Sequence, residues 1–450
     1  KRFVNFMNNP DERNAVEQFG KGDKYFGICT MMSTLPGLPM FGHGQMEGFS
    51  EKYGMEYKRA YWDENEDENL IARHRHQISP LLHRRWIFSE VDNFLLYDFH
   101  TSDQTINEDV YVYSNYHQGH ASLVIYNNKF SNSQGWINYS ATKIKFEENR
   151  QTSFKTVQLA QGLQINKNFD FVIFKDVATN LEYIHSIQDF YNHGLFFDLH
   201  AYQTHVFLDF RHVKEDEWQS YRRLCDYLNG NGVPNIENAM KELLLQPIQI
   251  PLKEIINRGY FDYLLSQKRL YTRDLIKNHV LVEAQQKVDN LLQGIFKMTG
   301  FDHNRELVNL QTLKNLEFVL SIPVFDQKFV SLKNKDLKSL ISEFQEKFSE
   351  NDEMWLIAFT YLFISSMGEM SDTTDPQFQA QSWFNEWQFS KLIRELGTSY
   401  QYSEAQKHTL SQTIYTLVGL SGWYKKFEII DFEKWLKTLL GRQDIQQFLN

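Results

Sequence analysis

Two stretches of the chain hold residue types whose order could do chemistry. The first, Asn8-Asn9-Pro10-Asp11-Glu12-Arg13, directly follows an apolar run, Phe3 to Met7. A carboxylate at Asp11, flanked by amides, could accept hydrogen bonds from hydroxyl groups. The same residues also suit a strand-to-helix turn in which Asp11 caps the next helix. The second stretch is LPGLPMFGHGQMEGF, Leu35 to Phe49. Here Pro36 and Gly37 make a tight entry, Gly42 and Gly44 permit close backbone approach, and His43, Gln45 and Glu47 would line a rim. A glycine-rich loop with its polar residues in solvent has the same composition. Each stretch reads as a buried strand turning into a polar loop, and the C-terminal ends of parallel strands are where α/β barrels keep their chemistry.

The elements that must position these residues follow three patterns. From Lys1 to Arg85, FVNFM is a strand, Lys21 to Thr34 a helix ended by Pro36 and Gly37, LPMFG a strand, and Asp67 to Ser79 a helix stopped at Pro80. Strand–helix–strand–helix is the repeat of a parallel sheet. From Trp86 to Val213 come short aromatic and β-branched runs such as NFLLYDFH, DVYVYSNY, ASLVIYNN, FDFVIFKD and HVFLDFRHV, punctuated by Gly and Asn. They predict an antiparallel sandwich or barrel. From Lys214 to Asn450 apolar residues recur at helical spacing, as in IENAMKELLLQ, KEIINRGYFDYLLSQ and FEKWLKTLLGRQDIQQFL. Breaks are expected at Asn229–Pro234, Pro247–Pro251, Gly300 and Gly368.

The totals exclude some partners. At 450 residues the chain exceeds a single core, so two or three domains are expected. A net charge of -10 argues against nucleic acid, which is bound through Lys and Arg. The longest apolar run, Met354 to Met367, contains polar residues and falls short of the ~20 that span a bilayer; it reads as a buried helix, and no membrane is expected as a partner. Cys29 and Cys225 suggest neither a disulfide framework nor a metal spacing, and a reducing, cytoplasmic setting is compatible with them. The chain opens on Lys1 without a leader and stops in mid-pattern at DIQQFLN, so both ends read as cuts.

In this order and spacing, the two polar stretches resemble the last two strands of the catalytic barrel of the α-amylase family of glycoside hydrolases. FMNNPDER, Phe6 to Arg13, is similar to the family's seventh-strand segment, F-x-x-N-H-D, with Pro10 in place of His. PGLPMFGHGQ, Pro36 to Gln45, resembles the eighth-strand segment of the P-G-I-P-x-x-Y-x-G-x-E type; Met46 follows Gln45, and Glu47 lies one place beyond the family's Glu. NLIARHRHQISPLL, Asn69 to Leu82, is like the last barrel helix.

The resemblance implies an α+β multidomain fold. The C-terminal fragment of a (β/α)8 barrel occupies 1–85, an antiparallel β-sandwich 86–213 and an α-helical domain 214–450. It also implies retaining cleavage of α-glucans or oligosaccharides, with nucleophile and acid on strands upstream of Lys1. Asp11 would be the third carboxylate, gripping hydroxyls as the ring flattens, and Asn9, Arg13, His43, Gln45 and Glu47 would contact substrate. These residues alone would then hydrolyse nothing. The alternative is a non-catalytic, amylase-like carbohydrate-binding or scaffold protein.

No metal or cofactor is expected. Asp63 to Glu68 lacks the spacing of a calcium loop and reads as an acidic helix start. His74, His76, His83, His117 and His120 form no zinc pattern and read as solvent-facing or packing residues. Tyr111, Tyr113, Tyr116, Trp136 and Tyr139 suit either a sugar-stacking platform or core aromatics at strand spacing.

Overall fold

The computed structural model describes residues 3–52, 58–146, 152–270, 273–328, 335–350 and 352–420. The chain divides into two compact units, Lys1–Leu243 and Leu244–Asn450.

The first unit opens with β1 (Val4–Phe6), α1 (Ala15–Phe19), α2 (Asp23–Thr34), β2 (Leu38–Met40), α3 (Glu68–Arg73) and α4 (Ser79–His83). Strands β1 and β2 pair in parallel, Val4 opposite Leu38 and Phe6 opposite Met40. Asn5 fixes this register by donating its side-chain N–H groups to the Leu35 and Pro36 carbonyls. Tyr25, Phe26, Cys29 and Met32 form the buried stripe of α2 and share a core with Met7, Leu70 and Ile78.

Pro80 does not stop the helix expected to end there. Asp67 caps α3, a π turn follows over His74–Ile78, and α4 continues with Pro80 in its first turn. Proline lacks an N–H and clashes with the carbonyl four residues back. The wide turn, with Ser79 N–H bonded to His74 O, breaks the i−4 pattern just before that residue.

The β-rich region contains β3 (Leu95–His100), β4 (Val110–His117), β5 (His120–Asn127), β6 (Ser133–Ser140), β7 (Lys143–Phe146), β8 (Thr152–Lys155), α5 (Leu159–Gly162), β9 (Phe171–Asp176), β10 (Glu182–Ser186), α6 (Ile187–His193), β11 (Leu195–Leu199), β12 (Thr204–Val213) and α7 (Ser220–Leu228). Eight of these strands make one sheet in the order β10-β9-β12-β5-β4-β3-β6-β11, and β7–β8 is a separate ribbon. The pairings within the sheet are antiparallel. The sheet curls over its own core: the ring of Phe197 on β11 lies 5.7 Å from that of Phe207 on β12, although β5, β4, β3 and β6 stand between them in the hydrogen-bonded order. Leu95, Phe99, Val112, Ile125, Phe174 and Leu195 fill the enclosed side. The region is therefore one sheet doubled over.

Part of the outer face meets the first segment. Tyr113, Val124, Val206 and Leu208 pack against Leu81, Ile87 and Phe88, and the Thr34 and Tyr113 hydroxyls bond at 2.6 Å. A Cβ on Gly27 would fall 2.0 Å from Cε2 of Tyr126. Only glycine lets α2 lie this close to β5.

The remaining elements are α8 (Ile236–Ile255), α9 (Arg258–Ser266), α10 (Asn278–Thr299), α11 (Arg305–Leu320), α12 (Phe325–Lys328), α13 (Lys335–Glu350), α14 (Asp352–Ser365), α15 (Pro376–Glu386), α16 (Phe389–Ser399) and α17 (Glu404–Leu420). Leu252, Phe261, Leu292, Phe359, Ile393 and Ile414 share one core. The long apolar run falls on α14, half of whose fourteen residues are buried. Among the described residues no helix is long and apolar enough to cross a membrane. The break expected at Pro247–Pro251 is absent, and α8 runs through both prolines. Pro251 has no N–H to give the Pro247 carbonyl, and that carbonyl approaches α10 where a Cβ on Gly294 would stand only 2.0 Å away. The segment Phe432 to Leu449 lies outside the described residues.

Two substitutions test these close approaches. Gly27→Ala is expected to destabilise the protein by about 1–3 kcal/mol through overpacking. Combined with Tyr126→Ala in a double-mutant cycle, it should cost less than the two single changes added together. Gly294→Ala should lower the unfolding midpoint even though alanine favours a helix interior by about 1 kcal/mol.

Candidate functional site

The parallel pairing sets the C-terminal ends of β1 and β2 side by side. Met7 and Asn8 follow β1 and are buried. Beyond β2, Gly42 lies so close to Asn8 that a Cβ there would be 2.4 Å from Asn8 Nδ2. Gln45 is buried. Its Oε1 accepts from the Gly42 N–H at 3.0 Å and its Nε2 points at Met7 Sδ at 3.2 Å. The two polar stretches meet at Met7, Asn8, Gly42 and Gln45.

A second layer supports these ends. Tyr25 donates its hydroxyl to the Gln45 carbonyl at 2.9 Å and stands 2.9 Å from His74 Nε2. With the Tyr25 proton on Gln45, His74 is the Nε2–H tautomer, and its buried Nδ1 has no partner among the described residues. The His74 ring is enclosed by Tyr25, Phe26 and Phe41 at centroid distances of 5.5, 5.1 and 6.2 Å. Burial pulls its pKa down to about 4, against the opposing charge of Glu47. Burial, above all, raises Tyr25 well beyond the usual phenol range, and it pushes the Cys29 thiol up as well. These groups are neutral at pH 7 and act as scaffold.

The remaining candidates lie further out. Asn9 accepts from the backbone N–H groups of Asp11 and Glu12 at 2.9 and 3.0 Å, so its side-chain oxygen closes the turn. Asp11 is exposed, and Lys52 donates to its backbone carbonyl at 3.1 Å. It does not cap the next helix: Asn14 does, accepting from Glu17 N–H at 2.9 Å. Arg13 is exposed and pairs with Glu17 at 3.5 Å. His43 is exposed between Gly42 and Gly44, and Glu47 is half-buried, its carbonyl accepting from Asp67 N–H at 2.9 Å. Of these residues, Asp11 offers an exposed carboxylate, a group suited to accepting hydrogen bonds from hydroxyls.

Sequence reasoning did not single out Tyr25; it placed Asn8 in the first polar stretch without a role of its own and read His74 as a solvent-facing or packing residue, and the structure buries both. A signal for His74 was present, since Leu70, His74 and Ile78 recur every four residues and so share one face of a helix. Carboxylates also organise the loop after β2. Glu64 accepts from the Ser50 and Glu51 N–H groups, and buried Glu51 accepts from those of Tyr61 and Trp62. Asp67 accepts from Leu70 N–H and bonds Lys21 at 2.9 Å. The acidic run therefore clamps backbone and starts a helix. Among the described residues no group of His, Cys, Asp and Glu could hold a metal ion.

No family model and no curated protein matches the chain. Among solved structures, it is similar to an α-amylase from Geobacillus thermoleovorans complexed with acarbose, with 11% identity and a TM-score of 0.29, covering 47% of this chain and 39% of that one. It is also similar to Amy13B of Eubacterium rectale, with 11% identity and a TM-score of 0.26, covering 46% and 38%. The chain thus spans well under half the length of either structure, and likenesses this distant carry no argument about its site.

The lowered pKa of His74 predicts an acid-side stability loss. Below the unfolded pKa of about 6.5 the unfolded chain takes a proton that the folded ring refuses. Stability is therefore complete above that pH and falls toward pH 4, by up to about 1.4 kcal/mol per pH unit. His185, lowered to about 4 chiefly by burial, adds a slope of the same sign. His74→Phe should keep the ring contacts and flatten part of this slope, read from denaturant midpoints between pH 7 and 4.

Proposed function

We propose that residues 1–85 are the seventh and eighth strands, with their helices, of the barrel of a retaining α-glycosidase of the α-amylase type. Residues 86–213 would form its β-domain and 214–450 a helical appendage. The observation that carries this reading is the parallel register of β1 and β2, with Asn8, Gly42 and Gln45 meeting at their C-terminal ends. The apolar side chains of the pair also support it. Phe3, Val4, Phe6, Leu38 and Met40 are all exposed, and two strands with open edges need neighbours such as a closed barrel supplies.

In this reading a carboxylate nucleophile and a carboxylic acid flank the glycosidic bond from other strands of the barrel, beyond these 450 residues. Asp11 is the third carboxylate. It binds sugar hydroxyls more tightly as the ring approaches an oxocarbenium ion, which lowers the barrier only if the contact strengthens in the transition state. Asn9, Arg13, His43, Gln45 and Glu47 line the substrate side. The substrate is an α-glucan or oligosaccharide.

One observation favours a second reading, a carbohydrate-binding or scaffold protein without catalysis. The Asn9 and Gln45 side chains are committed to local contacts, which leaves Asp11 to act with few helpers. The intact protein separates the two. Asp11→Asn should lower kcat/KM on maltooligosaccharides by about a hundredfold or more, with kcat falling more than KM rises. Unchanged activity would remove Asp11 from the mechanism, and glucan binding by an intact wild-type protein without hydrolysis would select the second reading.

A further inference from the structure

The outer face of the curled sheet carries a cluster of exposed rings at its β3–β6–β11 end. Phe196 and Trp136 are partners in register, with ring centroids 4.8 Å apart. Leu96 lies on the same face, since it alternates with the inward Leu95 and Tyr97. Between Tyr97/Ser140 and Phe99/Ile137 the register of β3 against β6 slips by one residue. Asn138 and Tyr139 therefore both stand opposite Asp98, and the bulge turns Tyr139 outward beside Trp136. Trp136, Tyr139, Phe196 and Leu96 are 38, 49, 50 and 51% exposed.

Polar groups border the rings. Two register pairs along, and so on the same face, Gln134 Nε2 donates to Asp198 Oδ2 at 2.9 Å. Asp98 alternates onto the same face from β3. The Asn138 Oδ1 atom is shielded from water and has no partner among the described residues. Further along the sheet this face is already a contact surface, covered by Leu81, Ile87 and Phe88.

We infer that this patch binds a neutral α-glucan chain, its C–H faces stacked on Trp136, Phe196 and Tyr139 and its hydroxyls donating to Asp98 and Asp198. Charge selects the occupant. The two carboxylates repel nucleic acid and anionic lipid, and an apolar protein surface would strip them of water without replacing its hydrogen bonds. Glycan hydroxyls replace that water directly. The choice of α-glucan rests on the function proposed above, whereas the patch itself shares no residue with the strand-end site.

The test uses the intact protein and affinity electrophoresis in gels containing amylose, with hydrolysis of short maltooligosaccharides measured alongside. Trp136→Ala and Phe196→Ala should each weaken retardation by about tenfold in apparent Kd, while Trp136→Phe keeps most of it and short-substrate hydrolysis is unchanged. Asp11→Asn should lose hydrolysis and keep retardation, so failure of the catalytic reading leaves a distinct signature. Retardation equal to wild type in folded Trp136→Ala and Phe196→Ala overturns the inference. So does concentration-dependent self-association that Trp136→Ala abolishes without any effect of amylose, because the occupant is then a second copy of the chain.

Discussion

Helix α2 lies on the curled sheet because Gly27 has no Cβ where the Tyr126 ring passes. Much of the strand-end geometry depends on that contact. With the helix seated, its early turns bring Tyr25 under the Gln45 carbonyl and beside His74. Its last residue, Thr34, bonds Tyr113 of the sheet. The chain leaving it is held by Arg85, which donates to the Leu35 and Gly37 carbonyls. Strand β2 therefore begins at a fixed point, and Asn5 ties β1 to the same segment. A side chain at position 27 would displace this series of contacts together.

Around the strand ends the polar groups divide by depth. Gln45, Asn8 and His74 are buried, while Asp11 is exposed. The buried set is not fully satisfied: Asn8 Oδ1 and His74 Nδ1 have no partner among the described residues, and an unpaired buried group costs about 1–3 kcal/mol. The apolar core of Met7, Tyr25, Phe26, Leu70 and Ile78 offsets that cost. What reaches solvent is a carboxylate on a turn whose shape Asn9 and Asn14 fix through the backbone. Such an arrangement orients a charge without spending it on an internal bond.

Much of the fold was legible where local pattern decides the outcome. The strand runs of β3, β4, β5, β9 and β12, the helix α2 and the parallel relation of β1 to β2 follow from periodicity and turn residues. The readings that failed were those in which tertiary contacts override local signals. Pro80 and Pro251 are helix breakers on any propensity scale, yet a π turn and the bare flank of Gly294 accommodate them. The curl of the sheet depends on pairings such as β12 with β9 and β5, which no local pattern records. At the site, Gln45 was visible as a polar residue after a strand and His74 as a packing histidine, but Tyr25 was hidden as an ordinary member of an apolar helix face. Among the sandwich tyrosines, spacing could not separate buried Tyr113 from exposed Tyr139, because a bulge sets which way the latter turns.

The docking of α2 also imposes an order of events. Its partners on the sheet lie far ahead in sequence: Tyr126 on β5, and Val206 and Leu208 on β12 beside the residues that follow α4. A ribosome adding about 5–20 residues per second delivers β12 roughly 10 to 40 seconds after α2 has emerged. During that interval the face of α2 that will meet β5 and β12 has no sheet to rest on and stands open to whatever is near. The vulnerable interval for this face lies between the synthesis of α2 and that of β12, when exposed apolar surface favours association with other chains.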